Sequence, residues 1–324
     1  MKLYLHIGTE KTGTKTIQET LFQNQSVLQK NGYHFLQCAG TRNNRKLPAY
    51  CMADENFDDF FRDRKISTLK GKKKFQEKFK SDFEYELRKL PNNIHTIIAS
   101  SEHFHSRIKR KNEIKYAFDF FSKYFNEIDV ICYLREQSAT CVSLYSTAIK
   151  SGHIPNLKRM LSNCVPSNRY YNYYEMLCNW GEVFGLKNCK IRIFSKEKFL
   201  NENLIDDFFS QINSSLIHQI AKETEKRNGS LSKLGQYLGL VTNIIFPKYR
   251  RNGDINQLRT KAISAISRNF KATKEKAHTA SSNAIYANFA ESNTLLNQKF
   301  LNKEGNCFKE VGAPRSINTV KTKK

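Results

Sequence analysis

The chain has 324 residues, enough to bury a substantial core in one large domain or two small ones, and its 54 Lys and Arg outnumber 30 Asp and Glu for a net charge of +24. Its eight cysteines form no CxxC pair and no zinc spacing, so they read as reduced thiols rather than a disulfide frame or a metal site. No apolar run approaches the roughly 18 residues that span a membrane, and a first strand expected almost at the N-terminus leaves no room for a signal peptide, which makes cytoplasmic the expected location.

From the N-terminus, Leu3, Tyr4, Leu5, His6 and Ile7 form an apolar, largely β-prone run that predicts a strand over 2–7. It enters a loop, residues 8–16, that holds two Gly, two Lys and four Thr. Ile17, Leu21 and Phe22 then recur at helical spacing and predict a helix over 15–30. A loop of this shape aims backbone N–H groups and a helix N-terminus at one spot, which suits a phosphate. Gly8 and Gly13 have the separation of the nucleotide-triphosphate loop G-x-x-x-x-G-K-[ST]. Thr14 stands between Gly13 and Lys15, however, and moves the lysine one place away from where β/γ-phosphates would sit.

A helix is predicted over 74–89, a strand over 94–100 that runs into SSEHF (Ser100 to Phe104), and a helix over 113–125. A strand over 129–134 ends at Arg135, and a helix over 137–151 places Ser143 about two turns in, able to face the same pocket. A helix over 169–184 carries Tyr170, Tyr173, Tyr174, Leu177, Trp180 and Phe184 at helical spacing, a core stripe. A strand over 190–194 and a helix over 203–213 follow. This alternation predicts a three-layer α/β fold with a mostly parallel sheet, in which ligands sit at the carboxyl ends of strands, where Lys11, Glu102 and Arg135 fall. No repeat of fixed period is visible. The α/β domain is expected over 1–302, with a basic, mobile tail over 303–324.

The order Lys11-Thr12-Gly13-Thr14-Lys15 resembles the 5′-phosphosulfate loop of sulfotransferases that use 3′-phosphoadenosine-5′-phosphosulfate (PAPS), whose core reads K-x-G-T-T. Lys15 replaces the second threonine, so a hydroxyl donor is lost while the backbone N–H remains and an ammonium can stand in. A strand ending in arginine with a serine eight residues later, as in Arg135 and Ser143, resembles that family's site for the 3′-phosphate of PAPS. SSEHF, YYNYYEMLCNWGEVFG (170–185), KIRIF (190–194), RNGSLS (227–232) and FAESNTLLNQKFL (289–301) are similar to phrases of its bacterial carbohydrate-type branch. The resemblance spans about residues 1–301.

It implies transfer of a sulfuryl group from PAPS to a hydroxyl, or an amine, of a carbohydrate or glycolipid acceptor, with adenosine 3′,5′-bisphosphate (PAP) as product and no metal. Lys11 would stabilise the bridging oxygen as it becomes a phosphate anion. Thr12, Gly13, Thr14, Lys15 and Thr16 would hold the 5′-phosphate, Arg135 and Ser143 the 3′-phosphate, and Arg227, Asn228 and Gly229 loosely match a closing Arg-Lys-Gly segment. For the base, Glu102 at a strand end is favoured, with the raised pKa of a partly desolvated carboxylate. His103 and His105 compete, and Glu10 ranks last because it would crowd an anionic phosphosulfate.

Two other readings stand beside this one. A P-loop nucleotide kinase or ATPase would use Glu102 as its magnesium ligand. A non-enzymatic polyanion-binding protein would use the basic run 70–80 and the tail, and further basic runs lie at 107–111 and 248–251. The charge alone allows nucleic acid, but no recognition motif with interleaved aromatics stands out. An acceptor that is itself anionic fits the basic field, and the segments 40–90 and 152–170 that would shape its pocket carry no readable motif.

Overall fold

Five strands pair side by side in parallel. They are β1 (Lys2–Gly8), β2 (Tyr33–Phe35), β3 (Thr96–Ser100), β4 (Glu127–Leu134) and β5 (Cys189–Ile193), in the order β2-β3-β1-β4-β5. A computed structural model of the chain describes residues 1–222, 230–250, 252–272 and 279–309. Helices flank the sheet, so the α/β class with a parallel sheet expected from the sequence is the observed architecture. β1 is central and buried throughout from Leu3 onwards, which is why it reads as an unbroken apolar run.

Tyr4, Ile98, Ile131 and Tyr133 share a core with Ile17 and Leu21 of α1 (Thr14–Gln23), Leu28 of α2 (Gln25–Lys30) and Phe208 of the helix Leu204–Ser210. The helix Tyr173–Phe184 lies against β4 and β5 and buries Leu177 and Trp180. Its indole stacks on Phe184 and meets Phe104 edge-on.

The expected helix over 15–30 is two helices. Asn24 breaks it, its amide donating to the Thr20 and Ala221 carbonyls and accepting from the Ala221 N–H. The expected helix over 74–89 starts at Leu69, where the Thr68 hydroxyl caps the Gly71 N–H. That over 169–184 starts only at Tyr173, capped by Asn172. Within the basic run 70–80, Lys72 is fully buried, its ammonium donating to the Ala53 and Asn56 carbonyls. Desolvation by burial holds its pKa below the usual lysine range. That run is therefore not a uniform solvated charge patch.

The described residues of Met1–Arg135, Ser167–Gly229 and Gln298–Asn302 form one compact unit, and those of Glu136–Pro166, Ser230–Asn297 and Lys303–Lys324 a second. The first holds the sheet. The second is helical, with Gln137–Lys150, Lys233–Ile245, Gln257–Asn269, Thr279–Asn288 and Ala290–Leu301 among its helices, the last running on past that unit's Asn297 bound. The four helices after residue 230 were not predicted from the sequence. Residues 310–324 of the expected tail lie outside the described residues. Among the described residues no helix is long and apolar enough to cross a membrane.

β1 marks the switch point of the sheet. It pairs with β3 on one side and with β4 on the other, so the order of strands reverses at its carboxyl end. Crevices in open parallel sheets form at such switch points. The segments leaving β1, β3 and β4 there begin with residues 9, 101 and 135.

Candidate functional site

The loop after β1 is held by its own threonines. The Thr9 N–H and hydroxyl both donate to the Tyr133 carbonyl of β4, at 2.8 and 3.0 Å. The Thr12 and Thr14 hydroxyls, both buried, donate back to the Thr9 carbonyl at 2.6 and 3.3 Å. Those two side chains, expected as phosphate donors, are thus committed to shaping the loop. Lys11 is held in the left-handed region at φ 69°, and Gly13 at φ 73° precedes α1. A non-glycine residue there is strained and persists only where its surroundings impose it.

Gly13 has no side chain to cap α1. The Thr16 and Ile17 N–H groups turn back to its carbonyl, which leaves the Thr14 and Lys15 N–H groups at the helix start for an incoming acceptor. Lys15 is exposed and Thr16 half-buried beside them. A side chain at Gly13 would collide with Leu204 and Phe194, so the close packing there also demands glycine.

Arg135 leaves β4 next to this loop, and its Nη1 donates to the Lys11 carbonyl at 3.3 Å. The two residues that anchor the sequence reading therefore adjoin. Ser143 is buried within the helix Gln137–Lys150, in the second unit. Arg227, Asn228 and Gly229 lie outside the described residues.

Glu102 follows β3. A Cβ placed on Gly8 would come within 3.0 Å of the Glu102 Cα, so the bend after β1 and the residue after β3 are packed backbone to backbone. One carboxylate oxygen, Oε2, accepts from Gln18 Nε2 of α1 at 3.0 Å and from Asn43 Nδ2 at 2.8 Å. Oε1 has no hydrogen-bond partner among the described residues. Asn43 is delivered by a loop that Asn44 pins over the end of β3, exchanging hydrogen bonds with both the N–H and the carbonyl of Ser100. Neither Asn43 nor Gln18 carried a signal in the sequence.

Glu10 turns to a different group of residues. The Tyr170 hydroxyl donates to its Oε2 at 2.6 Å, and His103 Nδ1 lies 4.0 Å from its Oε1. Burial works to raise the Glu10 pKa, but the hydrogen bond from the Tyr170 hydroxyl leads the effects that outweigh it and hold the carboxyl below its ordinary range. Burial lowers both His103 and His105, so each is neutral at neutral pH. Tyr170 is thus no part of the core stripe that buries Tyr173, Leu177, Trp180 and Phe184.

Beyond Tyr170 lies a cavity of about 380 Å³ lined by His105, Arg107, Asn168, Asn179 and Trp180 among others. His105 Nε2 is 2.9 Å from the Tyr170 carbonyl, which can only accept, so Nε2 carries the proton and Nδ1 the lone pair. Nδ1 and the Trp180 indole N–H are both buried without a hydrogen-bond partner. Neither atom is open to solvent, and the polar groups of the cavity wall include those of Arg107, Asn168 and Asn179.

No family model matches the chain. Over 140 residues it is 26% identical to an uncharacterized protein of Archaeoglobus fulgidus, and the match covers 39% of this chain and 37% of that protein's length. Among solved structures it is similar to a sulfotransferase from Alicyclobacillus acidocaldarius, at 11% identity and a TM-score of 0.43, covering 82% of this chain and 95% of that one. It is also similar to retinol dehydratase in complex with androsterone and inactive cofactor PAP, at 14% identity and a TM-score of 0.29, covering 93% and 79% of the two chains.

Proposed function

We propose that this chain is a PAPS-dependent sulfotransferase acting on a hydroxyl of a carbohydrate or glycolipid. The observation that carries the reading is the junction of Lys11 and Arg135 at the reversal point of the sheet, where one adenosine bisphosphate can meet both. The uncapped start of α1 and Lys15 supply donors for the 5′-phosphate. The Arg135 guanidinium offers a planar fork for the phosphate on the ribose.

The reaction forms a bond from the acceptor oxygen to sulfur and breaks the bond from sulfur to the bridging phosphate oxygen. The Lys11 ammonium and the helix start offset the charge that builds on that oxygen. The acceptor proton passes to Glu102, whose Oε2 is clamped by Gln18 and Asn43 while Oε1 is left to receive it. His103, neutral and close to Glu10, is the competing base. The cavity beyond Tyr170 would seat the acceptor, with the Arg107, Asn168 and Asn179 side chains of its lining suited to sugar hydroxyls.

A thermal-shift comparison tests this reading. PAP should raise the melting temperature at concentrations where ATP with Mg²⁺ does not, and labelled PAPS should transfer sulfate to host glycans. Equal protection by the two nucleotides would instead support the kinase or ATPase reading.

A further inference from the structure

The helix Lys233–Ile245 in the second unit is built inside out. Its buried face is Gly235, Gly239 and Asn243, spaced four apart. A Cβ at Gly239 would strike Ile149, and one at Gly235 would strike Phe270. Asn243 donates to the Ile149 and His153 carbonyls and accepts from the buried Arg259. The opposite face presents Leu234, Tyr237, Ile244 and Ile245 to solvent, with Tyr237, Ile244 and Ile245 each more than 60% exposed. Phe246, Ile255 and Leu258 extend the exposed apolar set beyond the helix. A contiguous apolar surface of this kind on a water-facing helix signals an interaction site.

Charge identifies the occupant. Between residues 230 and 272 the sequence has eight Lys and Arg and a single acid, Asp254. A second copy of the chain docked here would set this basic segment against itself, because a twofold interface pairs identical patches. An anionic lipid surface meets both demands at once: the aliphatic and aromatic side chains enter the headgroup boundary, and Lys248 and Arg250 meet the lipid phosphates. We infer that the face formed by Leu234, Tyr237, Ile244 and Ile245, with its flanking basic residues, seats the protein on an anionic bilayer surface.

Co-sedimentation of the full chain with lipid vesicles tests this. Binding to phosphatidylcholine vesicles containing about 30% phosphatidylglycerol should be at least tenfold tighter than to phosphatidylcholine alone, and should weaken in high salt. Ile244→Asp with Ile245→Asp, and separately Lys248→Glu with Arg250→Glu, should each reduce binding at least tenfold. Because Ile244, Ile245 and Arg250 are exposed and Lys248 is half-buried, the isoleucine variant should leave the melting temperature unchanged, and both variants should keep its rise with PAP. The proposal falls if the full chain does not bind such vesicles or if both double variants bind as the parent does. It also falls if light scattering shows a dimer that the isoleucine variant dissociates. The PAP response is read separately, so a failed sulfotransferase reading leaves this result interpretable.

Discussion

The guanidinium of Arg135 donates to the backbone carbonyl of Lys11 across 124 residues of sequence. β1 and β4 are neighbours in the sheet, and each releases one of these residues at its carboxyl end. The hydrogen bond runs from Arg135 Nη1 to the backbone of the loop after β1.

Substituting these residues should separate binding from turnover. Arg135→Ala should cut the preference for PAP over adenosine 5′-phosphate by about 10- to 100-fold, in keeping with the roughly 1.5–3 kcal/mol of a charged hydrogen bond. Lys11→Ala should lower kcat by about 10²–10³ while PAP binding changes far less. Calorimetric titration and steady-state rates read the two effects independently.

Glu102→Gln keeps an acceptor oxygen for Gln18 and Asn43 but removes the base, so kcat should fall by about 10²–10⁴ with PAP affinity unchanged. If His103→Gln gives the larger fall, the imidazole is the base and Glu102 positions the loop.

Tyr170→Phe removes the hydroxyl that holds the half-buried Glu10 carboxylate, at a cost of about 1.5–3 kcal/mol at neutral pH. Glu10 titrates below its unfolded value, so its contribution is full above that value and is lost as pH falls through the depressed range. The variant should therefore lose less stability on acidification than the parent, measured by urea unfolding at pH 7 and near pH 4.

His6 is fully buried, and desolvation pushes its pKa down to about 3. The unfolded chain protonates it near its model value of 6.5, so from there down to about 3 the unfolded state binds one more proton and stability falls with pH. His6→Asn can still hydrogen-bond Ser100 and should flatten this slope by one proton, whatever it costs in packing.

The strand–helix alternation was legible because β1, β3 and β4 are largely apolar, buried runs, as parallel strands covered on both faces must be, while the edge strand β5 alternates buried and half-buried residues. β2 has only three residues, too few for a period to register. The helix at 233–245 escaped because its pattern is reversed, with glycines inward and aliphatics outward. At the site, Gly13 and Lys11 announced themselves through local spacing. Asn43 reaches Glu102 from a loop without a pattern, and Tyr170 joins Glu10 across 160 residues. Pairings of that kind exist only once the chain is folded.

The central position of β1 also governs when the loop behind it can take shape during synthesis. Lys2 aligns with Thr96 on one side and Glu127 on the other, and Thr9 is fastened to Tyr133. β1 leaves the ribosome before β3 and β4 and must wait for them, since non-local pairings are repaid only after the intervening chain is closed. A nascent chain stopped before β4 would contain every residue of the loop after β1 but neither the Tyr133 carbonyl that fastens Thr9 nor Arg135.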